Sequence, residues 1–215
     1  MATRLHTIVV GPFAVNCYLL WNESSSEAII IDPGAEAETI KYWIDEFELI
    51  PKAILLTHGH GDHIAAVAEL KEQFEIPLYV GRGDERLLAD PSANISAFFD
   101  HPIVAPQPDV LVEDEQTLLI AGISLIVLAT PGHTLGGVCY LEEEAGRLYC
   151  GDTLFSGSIG RTDLEDGDYE RLIGSIQAKI LPLPDSTVVY PGHGAYTTVG
   201  TERSSNPFLL SSGYA

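Results

Sequence analysis

The chain has 215 residues, 46% of them hydrophobic and 20% charged, which suits one domain with a full core and excludes a disordered or fibrous chain. Its 31 acidic residues against 11 basic ones give a formal charge of −20. A surface of that sign repels phosphate backbones and anionic lipid, so neither nucleic acid nor a membrane is an expected partner.

Apolar alternation predicts strands at Thr7–Val10, Val15–Trp21 and Ala28–Ile31, with the polar run Asn22-Glu23-Ser24-Ser25-Ser26 as a hairpin loop. Glu36–Leu49 has the spacing of an amphipathic helix, and Ala53–Leu56 reads as a buried strand. Asp62–Phe74, rich in Ala, Glu and Leu, predicts a second helix. Residues 83–108 are mixed, with a short helix at Asp84–Ala89 and a loop rich in Pro and Asp. Strands resume at Thr117–Ile120, Ser124–Leu128, Val138–Leu141 and Arg147–Cys150. A helix at Tyr169–Ile180 and a strand at Thr187–Tyr190 follow. Strands in runs, with helices interposed in both halves, predict sheets covered by helices on their outer faces. No linker, charge block or repeat divides residues 1–215, which read as a single domain.

No apolar run reaches the length of a bilayer span, and the first residues lack a secretory signal pattern. Cys17, Cys139 and Cys150 show no paired spacing, as suits reduced thiols. A cytoplasmic protein is the expectation.

Four apolar strands each end in a small turn that delivers a metal-ligating side chain. They lead to His58, to His133 through Thr130-Pro131-Gly132, to Asp152 through Cys150-Gly151, and to His193 through Pro191-Gly192. Strand ends gathered at one edge of a sheet are where α/β proteins place their chemistry. The strongest signal is Thr57-His58-Gly59-His60-Gly61-Asp62-His63. His58 and His60, two apart on extended backbone, can face one side and chelate one ion. Asp62 and His63 stand at the entrance to a helix and can serve a neighbouring position. With His133, His193 and Asp152 the set has five His and two Asp, which suits two divalent metals if one carboxylate bridges them. Zinc is expected, and iron or manganese also tolerate this set. Cys150 reads as packing or, being two residues before Asp152, as a further ligand. Asp32 reads as a turn residue or as an acceptor holding the second nitrogen of a ligand His. His6 and His101 have no ligand-like neighbours.

These motifs resemble the metallo-β-lactamase superfamily and, within it, the short bacterial glyoxalase II-like hydrolases. The resemblance spans nearly the whole chain. It is carried by Asp32-Pro33-Gly34, the His58–His63 motif, Thr130-Pro131-Gly132-His133-Thr134, Gly151-Asp152-Thr153-Leu154-Phe155, Gly160-Arg161-Thr162-Asp163, Pro191-Gly192-His193-Gly194 and Asn206-Pro207-Phe208-Leu209. It implies an αββα sandwich: two mixed sheets with helices on the outer faces and the metals at an open edge. It assigns His58, His60, His133 and Asp152 to one metal, and Asp62, His63, His193 and the bridging Asp152 to the other. The implied activity is hydrolysis of a small thioester such as S-lactoylglutathione by a metal-held hydroxide, with Asp62 and Asp152 serving catalysis and Arg161 binding substrate. An iron-dependent persulfide dioxygenase is similar to this chain in the same ligands and in Gly160-Arg161-Thr162-Asp163, a lactonase or another small-ester hydrolase is chemically close, and a monomer or homodimer is expected. Two positions differ from the larger glyoxalase II pattern: Ala195 stands where those enzymes carry Tyr, and no basic residue follows Arg203. Weak binding of glutathione thioesters, depending heavily on Arg161, is therefore expected.

Overall fold

The computed structural model describes residues 2–210. The first half runs β1 (Thr3–Val10), β2 (Val15–Asn22), β3 (Glu27–Ile31), α1 (Ala37–Glu46), β4 (Ile50–Leu55), α2 (Gly61–Ile64), α3 (Val67–Phe74), β5 (Leu78–Gly81), α4 (Glu85–Ala89) and β6 (Val110–Val112). The second half runs β7 (Thr117–Ile120), β8 (Ile123–Ala129), β9 (Val138–Glu142), β10 (Arg147–Gly151), β11 (Leu154–Phe155), β12 (Ser158–Ile159), α5 (Tyr169–Ser175), β13 (Val188–Pro191), β14 (Thr197–Thr198), α6 (Val199–Ser205) and α7 (Pro207–Leu210). Strands β1 to β6 lie in sequence order in one sheet, antiparallel up to β3 and parallel from β3 onward. The other sheet has the order β14-β13-β10-β9-β8-β7, antiparallel except between β10 and β13.

The sheets stack because both have apolar faces. In β2, Tyr18 and Leu20 point between the sheets, against Leu125, Val127, Tyr140 and Tyr149 of the second sheet. The alternate residues Cys17 and Leu19 point the other way, under Ile40 and Ile44 of α1 and Val67 and Leu70 of α3. On the far side of the second sheet, Leu148 and Cys150 pack beneath Leu172 and Ile173 of α5 and Val199 of α6. The layers are therefore αββα, the fold class that the resemblance implies.

Several elements differ from the sequence pattern for physical reasons. The helix expected over Asp62–Phe74 is two helices, broken at Ala65-Ala66, where the Ala66 N–H donates to the Pro33 carbonyl at 3.1 Å. Gly34 presses so closely on α2 that a Cβ there would stand 2.0 Å from the Asp62 carbonyl oxygen. Packing of the Asp32-Pro33-Gly34 turn thus overrides helix propensity. β1 starts at Thr3 because β2 pairs with its full length, from Thr3↔Asn22 to Val10↔Val15. The helix expected over Tyr169–Ile180 ends at Ser175 and continues as a wider turn, closed by the Leu181 N–H on the Ile176 carbonyl. The pattern does not predict β5, β6, β11, β12 or β14, which are two to four residues long.

Candidate metal centre

The loops after β4, β8, β10 and β13 meet at one edge of the sandwich and bring all seven expected side chains together. Three groups of ligand atoms lie within 4.8 Å of one another: His58, His60 and His133; His58, His63 and Asp152; and Asp62, His63 and His193. His60 Nδ1 is 2.9 Å from His133 Nε2, and His193 Nε2 is 3.3 Å from Asp62 Oδ2. Asp152 lies between these pairs, its Oδ2 3.7 Å from His133 Nε2 and 3.6 Å from His193 Nε2.

Four of the imidazoles are anchored by Nδ1, which leaves Nε2 aimed at the cluster. His63 Nδ1 donates to Asp32 Oδ2 at 3.2 Å, His133 Nδ1 to the Arg161 carbonyl at 2.8 Å, and His193 Nδ1 to the Phe13 carbonyl at 2.9 Å. Thr57 Oγ1 donates to Asp32 Oδ2, so His58 Nδ1 donates to that hydroxyl at 3.1 Å. Such outer partners fix the tautomer and turn the free lone pair towards a cation. His58 Nε2 and Asp152 Oδ1 are buried without any hydrogen-bond partner. Buried polar atoms are ordinarily paired, so two orphans in one cluster of neutral imidazole and carboxylate fit a bound divalent metal.

The electrostatics agree. Burial, followed by the neighbouring imidazoles, holds His58 low, and burial with His133 holds His60 at about 3. Burial also lowers His133. Burial opposes charge on His63 too, but Asp62, Asp152 and Asp32 outweigh it and raise that imidazole to about 10. In His193, burial is outweighed by the hydrogen bond to Asp62 and by Asp152, so its pKa also rises. The carboxylates of the cluster therefore draw positive charge to the side of His63 and His193, where a cation would take the proton's place.

Asp32 fills both readings open in the sequence: it turns the chain at φ 49° and its carboxylate holds His63. Cys150 belongs to the apolar layer under α5 and its thiol faces the Leu154 carbonyl at 3.2 Å, so it stands outside the cluster. Arg161 reaches the site twice. Its carbonyl orients His133, while its exposed guanidinium sits at the mouth and donates to both Asp163 carboxylate oxygens at 2.8 and 2.9 Å. His6 lies against Trp43 with the two rings tilted, and His101 is exposed.

Sequence reasoning missed Asp84. This buried carboxylate accepts from Gly59 N at 3.0 Å, Thr134 Oγ1 at 2.8 Å and Gly136 N at 2.6 Å, and so ties the His58–His60 loop to the loop after His133. Burial outweighs the three donors and raises it to about 6. Its signal was present, because Leu78-Tyr79-Val80 leads through Gly83 to Asp84 much as β10 leads through Gly151 to Asp152. Asn16 was also missed; its amide donates to the Pro191 and Gly194 carbonyls on either side of His193, both at 3.0 Å.

A cleft of about 330 Å³ opens over the cluster, walled by Phe13, Ile95, Phe99, Arg161 and Leu164. A wider groove of about 820 Å³ beside α3 is shallow and carries none of the seven side chains. No helix among the described residues is long and apolar enough to cross a membrane.

Residues 10–193 match the family model of the metallo-beta-lactamase superfamily. The chain belongs to that superfamily, and its fold and His/Asp cluster define it as a metallo-hydrolase. It is similar to hydroxyacylglutathione hydrolase GloC of Haemophilus influenzae, at 42% identity over 97% of this chain and 99% of the relative. Among solved structures, the BLEG-1 B3 metallo-beta-lactamase matches at 43% identity with a TM-score of 0.92, covering 96% of this chain and 99% of that one. TTHA1623 in a di-iron-bound form matches at 37% identity with a TM-score of 0.82, over 95% of this chain and 100% of that one.

Proposed function

We propose that this chain is a metal-dependent thioesterase that hydrolyses small acyl thioesters, S-lactoylglutathione among them, with two divalent ions. His58, His60 and His133 would hold one ion, Asp62, His63 and His193 the other, and Asp152 would serve both. Divalent ions in such a centre lower the pKa of bound water and polarise an acyl oxygen. The chain's own residues keep the imidazole lone pairs aimed inward through Thr57, Asp32 and the Arg161 and Phe13 carbonyls. Arg161, the one basic side chain among the described residues lining the cleft apart from the histidines, would attract an anionic thiol carrier.

One observation carries the choice of thioester. Among the described residues lining the cleft, every side chain able to give up a proton near neutral pH belongs to the seven-residue cluster. No separate general acid remains for the leaving group. A thiol of pKa about 8.5 departs as thiolate without one, whereas an amide nitrogen needs a proton. Metal analysis of the purified protein, with a panel of S-lactoylglutathione, a lactone, a β-lactam and glutathione persulfide, tests the reading. Two equivalents of metal per chain and fastest turnover of the thioester are expected. Faster lactone or β-lactam cleavage, oxygen uptake with the persulfide, or a ceiling of one metal in excess metal would overturn it.

A further inference from the structure

Beside the cleft lies a second, smaller cavity of about 80 Å³. It forms where the loop between β1 and β2 meets the Gly34-Ala35 turn, the start of α2 and the segment around Phe99. Val10, Phe13, Val15, Phe99 and Ile103 line it, and Asp62 is the one charged residue in its wall. Phe13, Phe99 and Asp62 also line the cleft over the cluster, so the two spaces share that boundary. The Phe13 and Phe99 rings lie 5.0 Å apart there and form an apolar lip.

The two flanks of the cluster therefore differ in chemistry. On the His60 and His133 flank, the residue whose carbonyl orients the imidazole is Arg161, a cation. On the His193 and Asp62 flank, it is Phe13, the wall of the apolar cavity. A thioester laid across the cluster has two unlike ends, and these flanks match them.

We propose that the cavity behind Phe13 and Phe99 is the acyl-chain site. It takes an unbranched aliphatic chain of about three or four carbons beyond the carbonyl, since an apolar void of about 150 Å³ holds a six-carbon benzene ring and this one is roughly half that size. The thiol carrier lies towards Arg161. This deepens the thioesterase reading and rests on it. A 2-hydroxyl group would meet apolar wall on entering, with Asp62 alone able to accept its proton and already committed to His193. Simple aliphatic thioesters are thus preferred over 2-hydroxyacyl ones.

The test is a chain-length series on one neutral carrier: acetyl, propionyl, butyryl, pentanoyl, octanoyl and lactoyl thioesters of N-acetylcysteamine. kcat/KM should rise roughly fourfold per methylene up to pentanoyl and then level off, with butyryl about tenfold above lactoyl. Ala65 lines the cavity from the end of α2, and Ala65→Leu should cut the pentanoyl-to-acetyl ratio of kcat/KM about tenfold. A ratio is insensitive to partial loss of metal, and the series on the unaltered protein decides even if that variant does not fold. Pentanoate should also inhibit more tightly than acetate. Thioester turnover that is flat or falling with chain length overturns the acyl site and leaves the thioesterase reading standing. A series in which no thioester is cleaved overturns both.

Discussion

The first half of the chain places His58, His60, Asp62 and His63 from six consecutive residues that run from the loop after β4 into α2, whereas the second half draws His133, Asp152 and His193 from the ends of three separate strands. The bracing differs accordingly. The compact loop is held by two buried carboxylates outside it, Asp32 and Asp84, which bond Thr57, His63 and Gly59. The scattered set is held by carbonyls and by close approach of backbone. At Gly192 a Cβ would stand 2.2 Å from Asp152 Oδ1 and 2.6 Å from His63 Cε1, so only glycine lets β13 deliver His193 beside them. A dense local motif needs support from afar, and a dispersed set needs tight strand geometry.

Asp152 lies between the His60–His133 pair and the His193–Asp62 pair, so its replacement should disturb the assembled site most severely. Losing an outer partner of a ligand typically costs 10–100-fold, and a carboxylate serving both positions should exceed that, at about 1000-fold in kcat/KM for Asp152→Asn. The amide keeps the shape and removes the charge between His133 and His193. Metal analysis should show both equivalents lost. One tightly held metal with a near-normal rate would mean that Asp152 does not serve both ion positions.

Asp84 spans the halves more gently, through Gly59 on one side and Thr134 and Gly136 on the other. Asp84→Asn turns an NH2 towards one of these three donors and should weaken metal affinity about 10–100-fold, read by chelator competition. The same variant carries a pH signature. In the folded chain Asp84 titrates at about 6, above the ordinary value of ~3.9, so the fold favours its protonated form. That stabilisation is full below about pH 4 and is lost as pH rises through about 6, on the order of 3 kcal/mol in all. Denaturant midpoints of metal-free protein should therefore fall from pH 4.5 to 7 by less in Asp84→Asn than in the unaltered chain. Equal slopes would show that Asp84 is not the group responsible.

How far the site was legible follows from the same contrast. His58 to His63 stand out because their spacing alone makes chelation geometry, and the two Pro-Gly-His turns show through their repetition after apolar strands. The αββα layering was legible mainly through the resemblance, and is visible in the alternation of β2 and β3 once both faces are known to be covered. Asp84 was legible only as an acidic residue after an apolar run; its bracing role was not, because its partners lie 25, 50 and 52 residues away and no local pattern marks them. The break at Ala65-Ala66 is likewise set by Pro33, a contact that no helix propensity encodes. Arg161 was legible as a cation near the site. Its carbonyl bond to His133 was not, since backbone groups carry no residue-specific signal.

Arg161 supplies the smallest expected effect and separates the two uses of one residue. Arg161→Ala leaves the carbonyl that orients His133 in place, so metal content should be unchanged. What changes is the charge at the mouth of the cleft. The guanidinium is exposed and shared with Asp163, whose carboxyl it holds down at about 2, so the pair presents little net charge. Removing the cation leaves Asp163 unpaired in a chain of formal charge −20 and turns the mouth from balanced to anionic. KM for a glutathione thioester should then rise by about three- to tenfold at low salt, while the N-acetylcysteamine thioester of the same acyl group shifts little. The difference should shrink as ionic strength rises, since exposed charges are screened over about 10 Å at 0.1 M. Asp163→Asn should act in the opposite direction, lowering KM for the anionic carrier by freeing the guanidinium. Parallel changes for both carriers, or loss of metal in Arg161→Ala, would instead assign Arg161 to holding the loop that orients His133.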